Sequence, residues 1–273
     1  MDLRPLLPRF YNEAAEDHSA SLVPRLVNDA IETLAHDHRS VSWGDRLLTL
    51  DKSADFKGEP GFARAFAAIR GSHPYDQYDG PDTIAWRLNT LVWAARCGLR
   101  TGGDLVECGT FKGDMAWVVL QSVGAEQVPR FWLFDSFDGF SPDYSSAEDF
   151  PDNPGFLDFA NGFYRQAGLY EYVRNRFAVF ANVTVVKGFL PDAFDGAAPE
   201  RVGFLHIDLN SPGAEIAVLE RLFDRVLPGG IVVFDDYGWK MFHKQKEAED
   251  DFMRRRGYEI LELPTGQGLV VRR

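Results

Sequence analysis

Five short apolar runs, each closed by a polar residue or glycine and separated by helix-length segments, constrain this chain more than any other feature. GDLVECG, RFWLFDS, NVTVVKG, RVGFLHIDL and GGIVVFDD follow one another between Gly103 and Asp236. Such alternation marks strand and helix units wound around a parallel sheet. Ligands of these sheets bind beyond the carboxyl ends of the strands, so the residues that close the runs are the ones to examine for chemistry. The last stretch, GYEILELPTGQGLVVRR, holds two more apolar runs joined by Pro264-Thr265-Gly266-Gln267-Gly268. It reads as an antiparallel hairpin that adds a reversed strand.

Ahead of the first run the texture is helical. Leu22, Leu26, Ala30 and Leu34 recur at four-residue steps, and DTIAWRLNTLVWAARCGL repeats an amphipathic pattern after Pro81. The expected organisation is an N-terminal helical extension over residues 1–80 and an α/β domain over 81–273. The polar and aromatic segment 141–166 is long for a connection and reads as a lid or substrate-binding insert. A chain of 273 residues that is 45% hydrophobic can bury the core this requires. Its formal charge of −12 opposes a nucleic-acid partner, which clustered Lys and Arg would have to neutralise. Cys97 and Cys108 stand in apolar surroundings and suit packing in a reducing compartment. No signal-peptide pattern and no membrane-length apolar stretch is read, so the expectation is a soluble, cytoplasmic protein.

The first strand end, Glu107-Cys108-Gly109-Thr110-Phe111-Lys112-Gly113, sets glycines at a strand-to-helix turn, where backbone amides can meet a ligand closely. It lacks the third glycine of the dinucleotide fingerprint, and a tight turn explains it as well as a cofactor does. Asp135 closes the second run and is placed either to accept the hydroxyls of a ribose or to cap the next helix. Asp208 and the adjacent pair Asp235-Asp236 close the fourth and fifth runs. Neighbouring strands lie about 4.8 Å apart, so the three carboxylates can converge on a hard divalent cation such as Mg²⁺. The alternative is a helix cap plus a solvated carboxylate.

ECGTFKG, FDSFDGF, VVKGFLPDAF, LHID and LPGGIVVFDDYG, in that order and spacing, resemble the class I S-adenosylmethionine-dependent O-methyltransferases of the macrocin and mycinamicin (TylF/MycF-like) family over roughly residues 80–273. The resemblance implies a Rossmann-like α/β sheet, mostly parallel with an antiparallel C-terminal strand. It implies that Glu107, Gly109, Thr110, Phe111 and Gly113 line the methionine part of S-adenosylmethionine, Asp135 and Ser136 the ribose, and Gly188 and Phe189 the adenine. Asp208, Asp235 and Asp236 would bind Mg²⁺, with Asp208 also catalytic. Thr83 and Arg87, in TIAWRLNTL, could reach the cofactor's carboxylate. The acceptor implied is a sugar hydroxyl on a natural product or a polysaccharide.

One position departs from the family pattern. Relatives carry an acidic residue, the expected base, two positions after LHID's Asp, where this chain has Asn210, and an amide cannot take a proton from an alcohol. His206, His243 and Lys244 are the candidates to replace it, against the blander readings of a core imidazole for His206 and a solvated helix face for the other two. Tyr144, Phe150, Phe156, Phe159, Phe163 and Tyr164 of the insert either stack on a sugar or pack the insert down. A dinucleotide or nucleotide-sugar enzyme would need three glycines and a Tyr-x-x-x-Lys pair, which are not seen. A cofactor-binding homologue weakened by Asn210 is the other alternative. The N-terminal helices could serve as a homodimer surface or a substrate cover.

Overall fold

The computed structural model describes residues 40–45, 47–70, 84–153 and 155–273, with Thr33 and His36. The expected stripe from Leu22 to Leu34, and Thr83, lie outside the described residues. The chain divides into two compact units, Met1–Ala54 with Tyr75–Thr83 and Asp55–Pro74 with Ile84–Arg273.

The first unit contains an antiparallel hairpin of β1 (Val41–Gly44) and β2 (Leu47–Leu50), with Val41 opposite Leu50 and Gly44 opposite Leu47. Asp45 in its turn is left-handed, with φ 52°. A strand pair is a departure from the all-helical expectation for this region. Four-residue strands are too short for period-two alternation to stand out from neighbouring sequence.

In the second unit, α1 (Pro60–Ile69) opens on a proline, whose missing N–H costs nothing at a first helical position. It buries Phe62, Ala65, Phe66 and Ile69 at three- and four-residue spacing. This helix packs on the helix Asp114–Val123 of the sheet's own unit, so part of the stretch expected as an extension belongs with the sheet. Next come α2 (Ala85–Leu99), β3 (Asp104–Cys108), α3 (Asp114–Val123), β4 (Phe131–Asp135), α4 (Phe156–Tyr164) and α5 (Leu169–Phe177). The chain continues through β5 (Val183–Lys187), β6 (Val202–Ile207), α6 (Pro212–Leu222), β7 (Val226–Phe234), α7 (His243–Arg255), β8 (Leu261–Glu262) and β9 (Gly268–Val271).

The five expected runs form one sheet in the order β5-β4-β3-β6-β7-β9-β8. β5, β4, β3, β6 and β7 are mutually parallel, and β9 and β8 close the sheet antiparallel. The chain moves outward from β3 through β4 to β5, then crosses to β6 on the other side of β3. The crevice at a topological switch point therefore opens at the carboxyl ends of β3 and β6.

Period two along each strand assigns the two faces. Leu105, Leu133, Phe204 and Val233 face a core shared with α1, α2, α3 and α5. Val106, Phe134, Leu205 and Val232 face a second core under α6 and α7. On β6 beneath α2, Gly203 meets Gly98, and a methyl group on either would collide with the other's carbonyl oxygen. That approach seats α2 on the sheet. The insert packs down on aromatics from outside it: Phe150 is buried with Phe140 and Phe242, and the Phe150 and Phe156 rings lie 4.7 Å apart.

Candidate active site

The alternation that buries Leu105, Phe204 and Val233 also places Glu107, His206 and Asp235, two residues further on, on the same face under α2. Glu107 is the register partner of His206. His206 is fully buried, with Nδ1 3.2 Å from Glu107 Oε1 and Nε2 3.4 Å from Asp235 Oδ1. Burial alone would lower its pKa, but the hydrogen bonds and charges of Asp235 and Glu107 outweigh that and hold it up at about 10. His206 therefore carries its proton at neutral pH. A protonated imidazole can neither accept another proton nor ligate a metal, so it acts as the buried cation of a carboxylate sandwich.

Arg87, buried on α2, supplies the second cation. One guanidinium nitrogen bonds Asp235 Oδ2 and lies 2.9 Å from Asp236 Oδ1. Gln267, at the turn of the C-terminal hairpin, donates to Asp235 Oδ1 at 3.1 Å. Asp235 is buried, which raises its pKa, yet Arg87 and His206 together hold it below the usual carboxylate range. The sequence reading aimed Arg87 at the cofactor; the fold turns it onto the carboxylate pair. Gln267 was not anticipated, because only the hairpin's return alongside β7 brings it to Asp235.

A cleft opens at the carboxyl edge, lined by Gly109, Phe111, Asp135, Ser136, Gly188, Phe189, Asp208 and Asn210 among others. Gly109 has φ 93°, and a methyl group there would run into the Asp208 carbonyl, so β3 and β6 end in backbone contact. Asp135 accepts the Phe111 amide at 2.7 Å and the Phe137 amide at 2.6 Å, and both donors are left-handed, with φ 45° and 51°. Burial raises the Asp135 pKa, and these amides hold it back. The Thr110 amide bears on it too, so of a carboxylate's roughly four lone-pair sites about one stays open. Ser136 spends its hydroxyl on its own turn, donating to Gly139 O at 2.6 Å. Thr110 is buried, with its hydroxyl 3.4 Å from Phe134 O, and Gly113 opens α3. Glu107 Oε2 is buried without a partner among the described residues, an acceptor that fits an ammonium group.

Asp208 is half-buried beside the cleft, and Asn210 Nδ2 donates to its Oδ1 at 3.2 Å. Burial and the charges of Asp235 and Asp236 push its pKa well up. His206, Asp208 and Asp235 offer donor atoms within 4.8 Å of one another. With His206 protonated, the usable donors are the carboxylates. Arg87 and His206 sit among the carboxyl groups of Glu107, Asp208, Asp235 and Asp236, and that many oxygen donors beside a cleft fit a hard divalent cation. Asp236 stands apart from the three-residue group. His243, at the start of α7, lies 3.2 Å from Lys240 O and 3.7 Å from Asp152 Oδ2, and Lys244 pairs with Glu247 at 3.0 Å. Neither lines the cleft.

The switch-point cleft, with a glycine turn at one strand end and an acidic residue at the next, has the form of a nucleoside-cofactor site. The family model described as macrocin-O-methyltransferase (TylF) matches residues 89–261. The chain belongs to this family. It is thus an S-adenosylmethionine-dependent O-methyltransferase with the class I α/β fold. Mycinamicin III 3''-O-methyltransferase of Micromonospora griseorubida is 28% identical over 209 residues, 68% of this chain and 76% of that protein. 8-Demethyl-8-(2,3-dimethoxy-alpha-L-rhamnosyl)-tetracenomycin-C 4'-O-methyltransferase of Streptomyces olivaceus is 29% identical over 180 residues, 63% of this chain and 66% of that protein. The O-methyltransferase NovP superposes with a TM-score of 0.54 at 22% identity, over 68% of this chain and 79% of NovP, a likeness of fold. Among the described residues no helix is long and apolar enough to cross a membrane.

Proposed function

We propose that this TylF-family enzyme methylates a hydroxyl of a sugar borne by a natural product, with Mg²⁺ at the carboxylate cluster. The observation that carries the reading is one cleft holding the ends of β3, β4, β5 and β6, with Asp135 on its nucleoside side and Asp208 on the other. S-adenosylmethionine, when bound, would supply a sulfonium methyl that an aligned hydroxyl oxygen can attack in line, with S-adenosylhomocysteine as the leaving thioether. Asp135 accepts a ribose hydroxyl on its open lone pair, and Glu107 Oε2 receives the ammonium group. Gly188 and Phe189 border the adenine.

The acceptor side is lined by Ser141, Ser145, Tyr164 and Asn210, a polar wall suited to a polyhydroxylated ring. The name of one relative gives a rhamnosyl-bearing tetracenomycin and that of the other a mycinamicin as what is methylated, which supports a sugar acceptor on a natural product. Mg²⁺, when bound by Asp208 and Asp235 with Asp236 at the rim, supplies a Lewis acid that makes a hydroxyl more acidic. With the metal holding Asp208, the acidified hydroxyl would release its proton to solvent, since Asn210 cannot accept it and neither His206 nor His243 lines the cleft.

Titration calorimetry with S-adenosylhomocysteine, followed by methyl-transfer assays on glycosylated macrolide and aromatic polyketide acceptors with and without chelator, tests the reading. Micromolar binding and chelator-sensitive transfer are expected. No binding at millimolar S-adenosylhomocysteine overturns the function, and full activity in excess chelator removes the metal.

A further inference from the structure

Behind the Asp208 turn, on the face of the sheet away from Arg87, two carboxyl groups with no methyl-transfer role meet in the interior. Glu215 on α6 and Glu249 on α7 are both fully buried. They lie within hydrogen-bonding reach of each other. Glu215 Oε1 accepts the Leu209 and Asn210 amides, each at 3.1 Å. Among the described residues Glu215 Oε2 and both oxygens of Glu249 have no hydrogen-bond partner, though the Gln245 side chain is close enough to hold the Glu249 pKa back. Gln245, one turn before Glu249, is buried as well, and its Oε1 also lacks a partner.

Among the described residues the other titratable groups beside the pair are Asp235 at the end of β7, Asp250 on α7, and the neutral Cys108 thiol and Tyr237 phenol. None is a cation. Two buried carboxylates in contact with no positive partner cannot both be ionised. We propose that Glu215 and Glu249 share a single proton, and that this pair is the positioning device that holds the Asp208–Asn210 turn in shape.

The proton resides on Glu249. Glu215 already accepts two amide hydrogens, which favours its ionised form, whereas Glu249 accepts none from the backbone. The Glu249 O–H donates to Glu215 Oε2, and no other group has to gain or lose a proton. Burial and the Glu215 charge both push the Glu249 pKa well up, in keeping with that assignment.

The consequence reaches the cleft. Asn210 is left-handed, with φ 54°, a conformation that a non-glycine residue keeps only where its surroundings over-determine it. Glu215 supplies that constraint through the two amides, and Asn210 in turn orients Asp208. The role as a positioning pair rests on reading the Asp208 turn as the methyl-transfer site. The shared proton does not.

The test uses the full-length protein. The infrared difference spectrum of wild type minus Glu249→Gln at pH 7, which cancels other protonated carboxyls such as Asp208, is expected to show a buried carboxylic-acid carbonyl band; the variant's amide still donates to Glu215. Hydrogen exchange of the Leu209 and Asn210 amides is expected to match wild type in Glu249→Gln and to quicken at least about tenfold in Glu249→Leu, which has no donor. Should Glu249→Leu not fold, Glu215→Gln replaces it. Its amide oxygen can accept both N–H groups and its NH₂ can donate to Glu249, which then ionises, so the acid band is expected to vanish. No acid band in that difference spectrum, unchanged exchange in Glu249→Leu, or that same band persisting in Glu215→Gln overturns the proposal. Wild-type failure to bind S-adenosylhomocysteine, with the acid band present, counts against the methyl-transfer reading alone.

Discussion

Arg87 settles what two adjacent carboxylates are doing at the end of a strand. Asp235 faces inward, where burial would ordinarily neutralise it, and it stays charged because Arg87, His206 and Gln267 all contact it. Removing one partner of such a cluster leaves an uncompensated buried charge, which costs more than the pair itself contributes. Arg87→Leu is therefore expected to lower unfolding stability by about 3–5 kcal/mol, read from guanidinium melts. A loss below about 1 kcal/mol would mean that Arg87 contributes as little as an exposed ion pair does.

At the scale of elements, the site depends on where β3 and β6 stop relative to each other. Gly109 brings the two strand ends into backbone contact, and its left-handed φ leaves no room for a side chain. Gly109→Ala has to push β3 and β6 apart or strain the turn that carries Phe111. The expected outcome is a protein destabilised by about 1–3 kcal/mol that binds S-adenosylhomocysteine at least tenfold more weakly, measured by melting and calorimetry. Wild-type affinity in that variant would move the cofactor away from the β3 turn. α2 works at the same scale: the Gly98–Gly203 approach lowers it onto β6 and so brings Arg87 to the strand ends.

Across the sheet's unit, buried acidity outweighs buried basicity, and pH dependence follows. His206 is raised from 6.5 to about 10, so its contribution is complete below pH 6.5 and is lost as pH rises through 10. Glu107, Asp208, Glu215 and Glu249 are also raised, mainly by burial, and act in the same direction. Asp235, lowered by Arg87 and His206 against its burial, opposes them and contributes fully above its unfolded value of 3.8. Stability is therefore expected to peak on the acid side of neutrality and to fall steadily from pH 6.5 to 10. Urea midpoints across that range check it, with a shallower decline expected for His206→Gln. A midpoint that rises through this interval would contradict the buried imidazolium.

The alternation of apolar runs and helix-length segments determined the parallel sheet, and period two within each run determined which residues face which core. The closing residues of those runs, Gly109, Asp135, Asp208 and Asp235, were legible for the same reason: a strand's end is a local property, and the site of such a sheet lies at its carboxyl edge. Local pattern could not reveal who meets whom across the layers. Arg87 reads as an ordinary helix residue until α2 settles on β6, and Gln267 as a turn residue until β9 returns beside β7. Glu215 and Glu249 read as the polar side of amphipathic helices until α6 and α7 press them together. Tertiary structure decided these partnerships, because the charge state of a buried group depends on what surrounds it in space, and those neighbours come from distant parts of the chain.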